Sequence, residues 1–212
     1  MSVIGVYDII SSLMDAPEFT KSMKDIKKET GLTSSNLSNK LKEYDSLFQK
    51  IGEEDNDREK NVKLRIEDYI RNTVSSHGFK EADVTAIINN IVENQAKIAK
   101  TMRNQREEFV ENSFRRLIFR RDPMICVMIK TPVSDLKAQE EFLTIVLSKL
   151  LSELMKEILS CERGSSMLNF YSEGSSFFIE TMVKSIMKQF KSESSDPRQI
   201  IQEVLKLQTK AS

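Results

Sequence analysis

Ser34, Ser35, Asn36, Ser38, Asn39 and Lys40 form a run of short polar side chains that ends on a cation. Each can hydrogen-bond a base edge. An Asn amide pairs bidentately with adenine, a Lys ammonium reaches guanine acceptors, and a Ser hydroxyl serves either role. Lys21, Lys24 and Lys42 flank the run and suit phosphate oxygens. From Lys21 to Lys42 there are six lysines against two acids, Asp25 and Glu29, a local excess of four positive charges. Such a set supports docking on double-stranded DNA: phosphate contacts give salt-sensitive affinity, and the Asn and Lys contacts select sequence.

Those side chains need a rigid helix presented by other helices. Val3 to Met14 carries apolar residues at helical spacing and is stopped by Asp15-Ala16-Pro17, because the residue before proline is pushed out of the helical region. Ser22 is placed to cap a second helix, with Asp25 three residues on as an approximate capping box. Gly31 sits where a helix end takes a left-handed residue. Thr33 or Ser34 caps a third helix, in which Leu37 and Leu41 mark the buried side. Two short helices around a glycine turn form a helix-turn-helix pattern, and its second helix enters the major groove. A fourth helix is expected from near Glu43, with Leu47, Phe48 and Ile51 as its apolar stripe. The polar run from Gly52 to Asn61 reads as a hinge and as a poor β-hairpin.

Further on, helices are expected over Val62–Val74, Glu81 to about Thr101, Phe109–Phe119, Ser134 to about Ser160, Ser166–Phe190 and Pro197–Leu207. The apolar, β-branched run Met124–Ile129 reads as buried helix or connector, since a lone strand in a helical chain has no partner. Six Gly, four Pro and no Trp, with 39% apolar residues, suit an all-α chain with a real core.

Formal net charge is zero, so the basic head is offset elsewhere, first by Glu53, Glu54, Asp55 and Asp57. Cys126 and Cys161 lack metal-ligand spacing and read as buried thiols; no metal or cofactor is expected. His77, the only histidine, lies in a Ser-Ser-His-Gly turn and reads as surface loop. The pairs Arg115-Arg116 and Arg120-Arg121 read as a solvated helix face, and no nucleophile or phosphate-loop motif points to an enzyme. No apolar run approaches the roughly 20 residues of a membrane span. The opening residues lack a basic leader, and the chain is expected in a reducing cytoplasm without a membrane partner.

The N-terminal residues resemble the TetR family of bacterial transcriptional regulators. Ser22-Met23-Lys24-Asp25-Ile26 corresponds to the family's helix-two entry, Lys28-Glu29-Thr30-Gly31-Leu32-Thr33 to its turn, and Asp45-Ser46-Leu47-Phe48 to the start of its helix four. Phe170-Tyr171-Ser172-Glu173-Gly174 and Asp196-Pro197-Arg198-Gln199-Ile200-Ile201 are similar to the tail of the dihydroxyacetone-kinase-regulator-like members. Ser38, Tyr44 and Lys27 depart from the pattern, which has an aromatic, a Lys and an Ala at those places.

The resemblance implies a helix-turn-helix head at residues 1–50 and a helical effector and dimerisation body at 51–212. It also implies a two-fold homodimer on a palindromic operator, and repression relieved by a small-molecule effector. Ile88, Ile91, Met102, Phe109, Phe114 and Met128 are the candidate effector-pocket walls. Gly174, Phe177, Phe178, Thr181, Met182, Ile186 and Leu205 are the candidate dimer interface. Two rivals stand beside this reading. One is a winged-helix regulator, which needs a β-hairpin after the third helix. The other is a helical adaptor that has lost DNA binding.

Overall fold

The computed structural model describes residues 3–52, 60–75, 77–111, 116, 119–132 and 137–161, with side chains of the last helix to Leu150. The chain divides into two compact units, Met1–Gln139 and Glu140–Ser212. Helices α1 (Ile4–Met14), α2 (Met23–Thr30) and α3 (Ser34–Glu43) are followed by α4 (Ile66–Val74), α5 (Glu81–Glu93), α6 (Gln95–Asn104), α7 (Arg106–Glu111), α8 (Ile125–Lys130) and α9 (Lys137–Cys161). A 3-10 turn (Pro17–Phe19) and strands β1 (Thr20–Ser22), β2 (Phe48–Ile51) and β3 (Asn61–Leu64) complete the described elements.

The fold is mostly helical, roughly as expected of an all-α chain, with one small sheet added. β3 is the centre of a three-stranded antiparallel sheet of order β1-β3-β2. Thr20 pairs with Lys63, Phe48 with Leu64, and Ile51 with Asn61. Two backbone bonds extend the ladder at its ends, Met23 N–H to the Lys60 carbonyl (2.9 Å) and Arg65 N–H to the Leu47 carbonyl (2.8 Å). Strands therefore flank residues 52–60, and the expectation of a poor hairpin there is corrected. So is the expected fourth helix from Glu43: α3 ends at Tyr44, and Leu47 and Phe48 are buried at the start of the hairpin. The helix expected over Val62–Val74 begins only at Ile66, because Val62 and Leu64 alternate inward from β3.

The punctuation of α2 and α3 follows the sequence. Asp25 N–H donates to Ser22 Oγ at 3.1 Å, and Asn36 N–H donates to Thr33 Oγ1 at 3.2 Å. Each cap satisfies an orphan first-turn donor. Gly31 has φ +68°, the left-handed conformation that stops α2 and swings the chain into α3. Ahead of β1, Glu18 and Phe19 also have positive φ, at 51° and 57°. That tight turn is held by the burial of Phe19 and by Gln95 Nε2 donating to the Ala16 carbonyl.

The core of the first unit forms around α1, in which Gly5–Tyr7 and Ile9–Met14 are all buried. α1 packs on α2, α3, β1 and β3 on one side and on α6 on the other. Tyr7 ties α1 to α6 and α7: its ring stacks on Phe109 (centroids 4.2 Å apart), and its hydroxyl donates to the Met102 carbonyl at 2.7 Å. Phe119 closes the cluster edge-on to Phe109 at 5.0 Å. The helix expected from Glu81 to Thr101 is two, broken at Asn94 between α5 and α6. Met124–Ile129 is helical in its larger part, as α8, with Cys126 buried among its apolar neighbours. In the second unit, α9 buries Phe142, Leu143, Val146, Leu147 and Leu150, one stripe at helical spacing. No helix among the described residues is long and apolar enough to cross a membrane.

Candidate nucleic-acid interface

α3 is amphipathic for a physical reason. Leu37 and Leu41 are buried, at 0% and 2% exposure, and they anchor one face on the core. The opposite face then carries Ser35, Asn39 and Lys42, at i, i+4 and i+7, all exposed. Ser34 and Asn36 flank this stripe and are also exposed, while Ser38 is half-buried. Ser34 Oγ accepts a hydrogen bond from Lys27 Nζ at 3.0 Å, which ties the first turn of α3 back to α2. The stripe presents a hydroxyl, an amide and an ammonium on one exposed line of the helix.

The other lysines divide into exposed and engaged. Lys24 is exposed on α2, as is Lys28. Lys21 is engaged: its ammonium lies 2.8 Å from both carboxylate oxygens of Glu29. Ser12 adds a third contact to that carboxylate at 2.6 Å. Burial works against the charged form of Glu29, but the Lys21 and Ser12 hydrogen bonds outweigh it and hold the carboxyl below its ordinary range. Lys40 departs furthest from the sequence reading. It is 7% exposed, and its stem lies across Gly5 of α1. Lys40 is therefore part of the packing between α3 and α1, outside the exposed stripe.

Two hollows lie beside α1, and the larger also borders α3. The larger, about 410 Å³, is lined by Ile4, Gly5, Asp8, Thr30, Leu32, Asn36, Asn39, Lys40 and Arg106. The smaller, about 300 Å³, shares Asp8, Thr30 and Arg106 with it. Between them Arg106 donates from Nε and Nη2 to the two Asp8 oxygens, at 2.6 and 2.9 Å. That fork raises the already high proton affinity of the guanidinium. Arg103 makes a similar link, 2.7 Å to Asp15. Asp8 and Arg106 are 98 residues apart, and no local spacing in the sequence signals their meeting.

Among the described residues, the candidate effector-pocket side chains line neither hollow. Ile91, Met102, Phe109 and Met128 are buried core and Ile88 is half-buried; Phe114 lies outside the described residues. The candidate dimer-interface residues, Gly174 to Leu205, also lie outside them. His77 is exposed in its turn, its Nδ1 3.1 Å from the Thr73 carbonyl. No family model, no curated protein and no solved structure matches this chain.

Proposed function

We propose that this protein is a sequence-selective DNA-binding regulator that reads the major groove with α3 and belongs to the winged-helix type of head. The observation that carries the reading is the exposed Ser35–Asn39–Lys42 stripe on a helix whose other face is anchored by Leu37 and Leu41. The element order supports it: a helix, an edge strand, two helices around a glycine turn, then a hairpin that pairs with the edge strand.

Asn39 would pair with adenine and Lys42 with guanine or a neighbouring phosphate. Lys24 and Lys28 on α2 would take phosphates. The hairpin connector contributes little to phosphate binding, because residues 52–60 carry five acids against Arg58 and Lys60. The sequence resemblance to TetR regulators adds a two-fold dimer on a palindromic operator and release by a small effector. It does not include the strand pair that follows α3. A dimer also follows from contact number, since one short stripe offers too few base contacts to pick a site from a genome.

The test is selection of duplexes from a randomised library on the full chain, followed by binding of the best duplex at two salt concentrations. Selective, salt-sensitive binding is expected. Absence of binding at low salt would overturn the reading and favour the helical adaptor.

A further inference from the structure

Ser11 of α1 is 5% exposed, and its Oγ meets no hydrogen-bond partner among the described residues. Other helical hydroxyls of this chain turn back on the preceding turn. Thr30 donates to the Ile26 carbonyl, Thr73 to that of Tyr69, Thr101 to that of Lys97 and Thr144 to that of Glu140, at 2.7–2.8 Å. Ser11 makes no such bond to the Tyr7 carbonyl. A buried hydroxyl left unbonded costs stability. The smaller cleft, about 300 Å³, is lined by Ser11, and a turn about χ1 between staggered positions brings a hydroxyl to face it.

The rest of the lining sets the chemistry of the missing partner. Its charged side chains are Asp8, Glu29, Arg103 and Arg106, two anions and two cations. Each already holds an opposite charge: Asp8 with Arg106, Arg103 with Asp15, and Glu29 with Lys21. A charged ligand would break one of these pairs or sit uncompensated beside it, whereas a neutral one leaves them intact. A carboxylate offers about four lone-pair positions. Asp8 uses two of them on Arg106 and so can still accept from a ligand donor.

We propose that this cleft binds a small neutral polyol, of monosaccharide size, through Ser11 Oγ and the Asp8 carboxylate. The volume stands at the lower end of small-molecule sites, which fall at about 300–1,000 Å³. A ligand hydroxyl both donates and accepts, so one such group can donate to Asp8 and accept from Ser11; an amide nitrogen only donates. The proposal does not rest on the DNA reading above.

D-Glucose is titrated into the full-length protein and followed by amide NMR, with D-glucosamine and D-glucuronate as cationic and anionic counterparts of the same ring. Saturable shifts are expected at Asp8, Ser11, Ser12 and Thr30, with a Kd on the order of 1 mM. Both charged counterparts should bind more weakly than glucose. Ser11→Ala should weaken glucose binding about fivefold, the worth of one neutral hydrogen bond. The same variant should not lower the denaturation midpoint, because the hydroxyl it removes leaves no protein partner behind. Ser11→Met, which fills the cleft, should abolish binding. Shifts that do not saturate, or equal binding by wild type and Ser11→Ala, would mean a cleft that holds water only and would overturn the site. Tighter binding of glucosamine or glucuronate would overturn the neutral assignment. A lowered midpoint in Ser11→Ala would show the hydroxyl to be bonded within the fold and would remove the premise.

Discussion

Lys40 lies across Gly5: a Cβ built on the glycine would stand 2.7 Å from Lys40 Cε, 3.0 Å from its Cδ and 3.3 Å from Leu32 Cδ2. The absence of one methyl group on α1 thus lets α3 sit down on it with a buried lysine stem between them. A lysine can cover apolar surface with its methylenes in this way.

Gly5→Ala should therefore destabilise the protein by about 1 kcal/mol. Crowding of a packed site costs about 1–3 kcal/mol, while alanine in place of a helical glycine returns about 0.5–1. In a Lys40→Ala background the two closest obstructions are gone and only the end of the Leu32 side chain, at 3.3 Å, must give, so the same substitution should be neutral or stabilise by up to about 0.5 kcal/mol. Chemical denaturation of the four proteins of this cycle reads the difference. An equal effect of Gly5→Ala in both backgrounds would contradict the contact.

The caps of α2 and α3 should each be worth about 1 kcal/mol. Ser22→Ala removes the acceptor of Asp25 N–H, and Thr33→Ala removes that of Asn36 N–H. Gly31→Ala should cost about 1–2 kcal/mol, the penalty of a side chain in the left-handed region; nothing stands within 4 Å of the added carbon, so strain is the only term. Denaturation midpoints measure all three.

On DNA, the stripe residues should differ in kind. Asn39→Ala should cost about 1–3 kcal/mol and relax the preference at one base pair. Lys42→Ala should weaken all duplexes and lower the salt slope by about 1 if it holds a phosphate. Lys21→Ala should change DNA affinity little, because that ammonium is already held by Glu29. Filter or anisotropy binding across a salt series separates these outcomes.

The Lys21–Glu29–Ser12 cluster sets a pH dependence. The Glu29 carboxyl titrates below its ordinary value in the folded protein. The unfolded chain therefore takes up its proton first as pH falls. The contribution of Glu29 is complete above the ordinary glutamate range and is lost as pH drops through the lower, folded value. The stability difference between wild type and Glu29→Gln should shrink across that acid window and stay flat at neutral pH. Glu29 is about half exposed, with 48% of its side chain accessible, so the difference is small.

Cys126 should be inert in the native protein. Burial is the main cause pushing its thiol far above the ordinary cysteine range, and Sγ donates to the Pro123 carbonyl. In a Cys161→Ser background, an aromatic disulfide reagent should label Cys126 only as fast as the chain unfolds. Rapid labelling without denaturant would contradict the packing around α8.

Much of the head was legible because its signals are local. Ser22, Gly31 and Thr33 punctuate α2 and α3 through bonds that span three or four residues, and Leu37 and Leu41 mark a buried face by spacing alone. The sheet was not legible. β1 is Thr-Lys-Ser with no buried residue, and β2 buries only Phe48, so neither is long enough to display alternation. Their stability lies in pairing with β3, a property of two distant segments. Lys40 was misplaced for a related reason: its burial depends on a glycine in another helix. The cleft was invisible because Asp8 and Arg106 approach only when α1 and α7 have folded against the same core.

α1 is shared by the elements on which α3 rests and by those behind them. With nearly every side chain of α1 engaged, and with Tyr7 bound to α6 and α7 behind it, α3 rests on an anchored support. α1 is thus a common axle between α6 and α3, the helix that carries Ser35, Asn39 and Lys42. A fragment cut at residue 50 would also strip the rear of the axle and lay Tyr7 bare to solvent. The smallest piece that keeps this head intact thus runs through the helices that back α1.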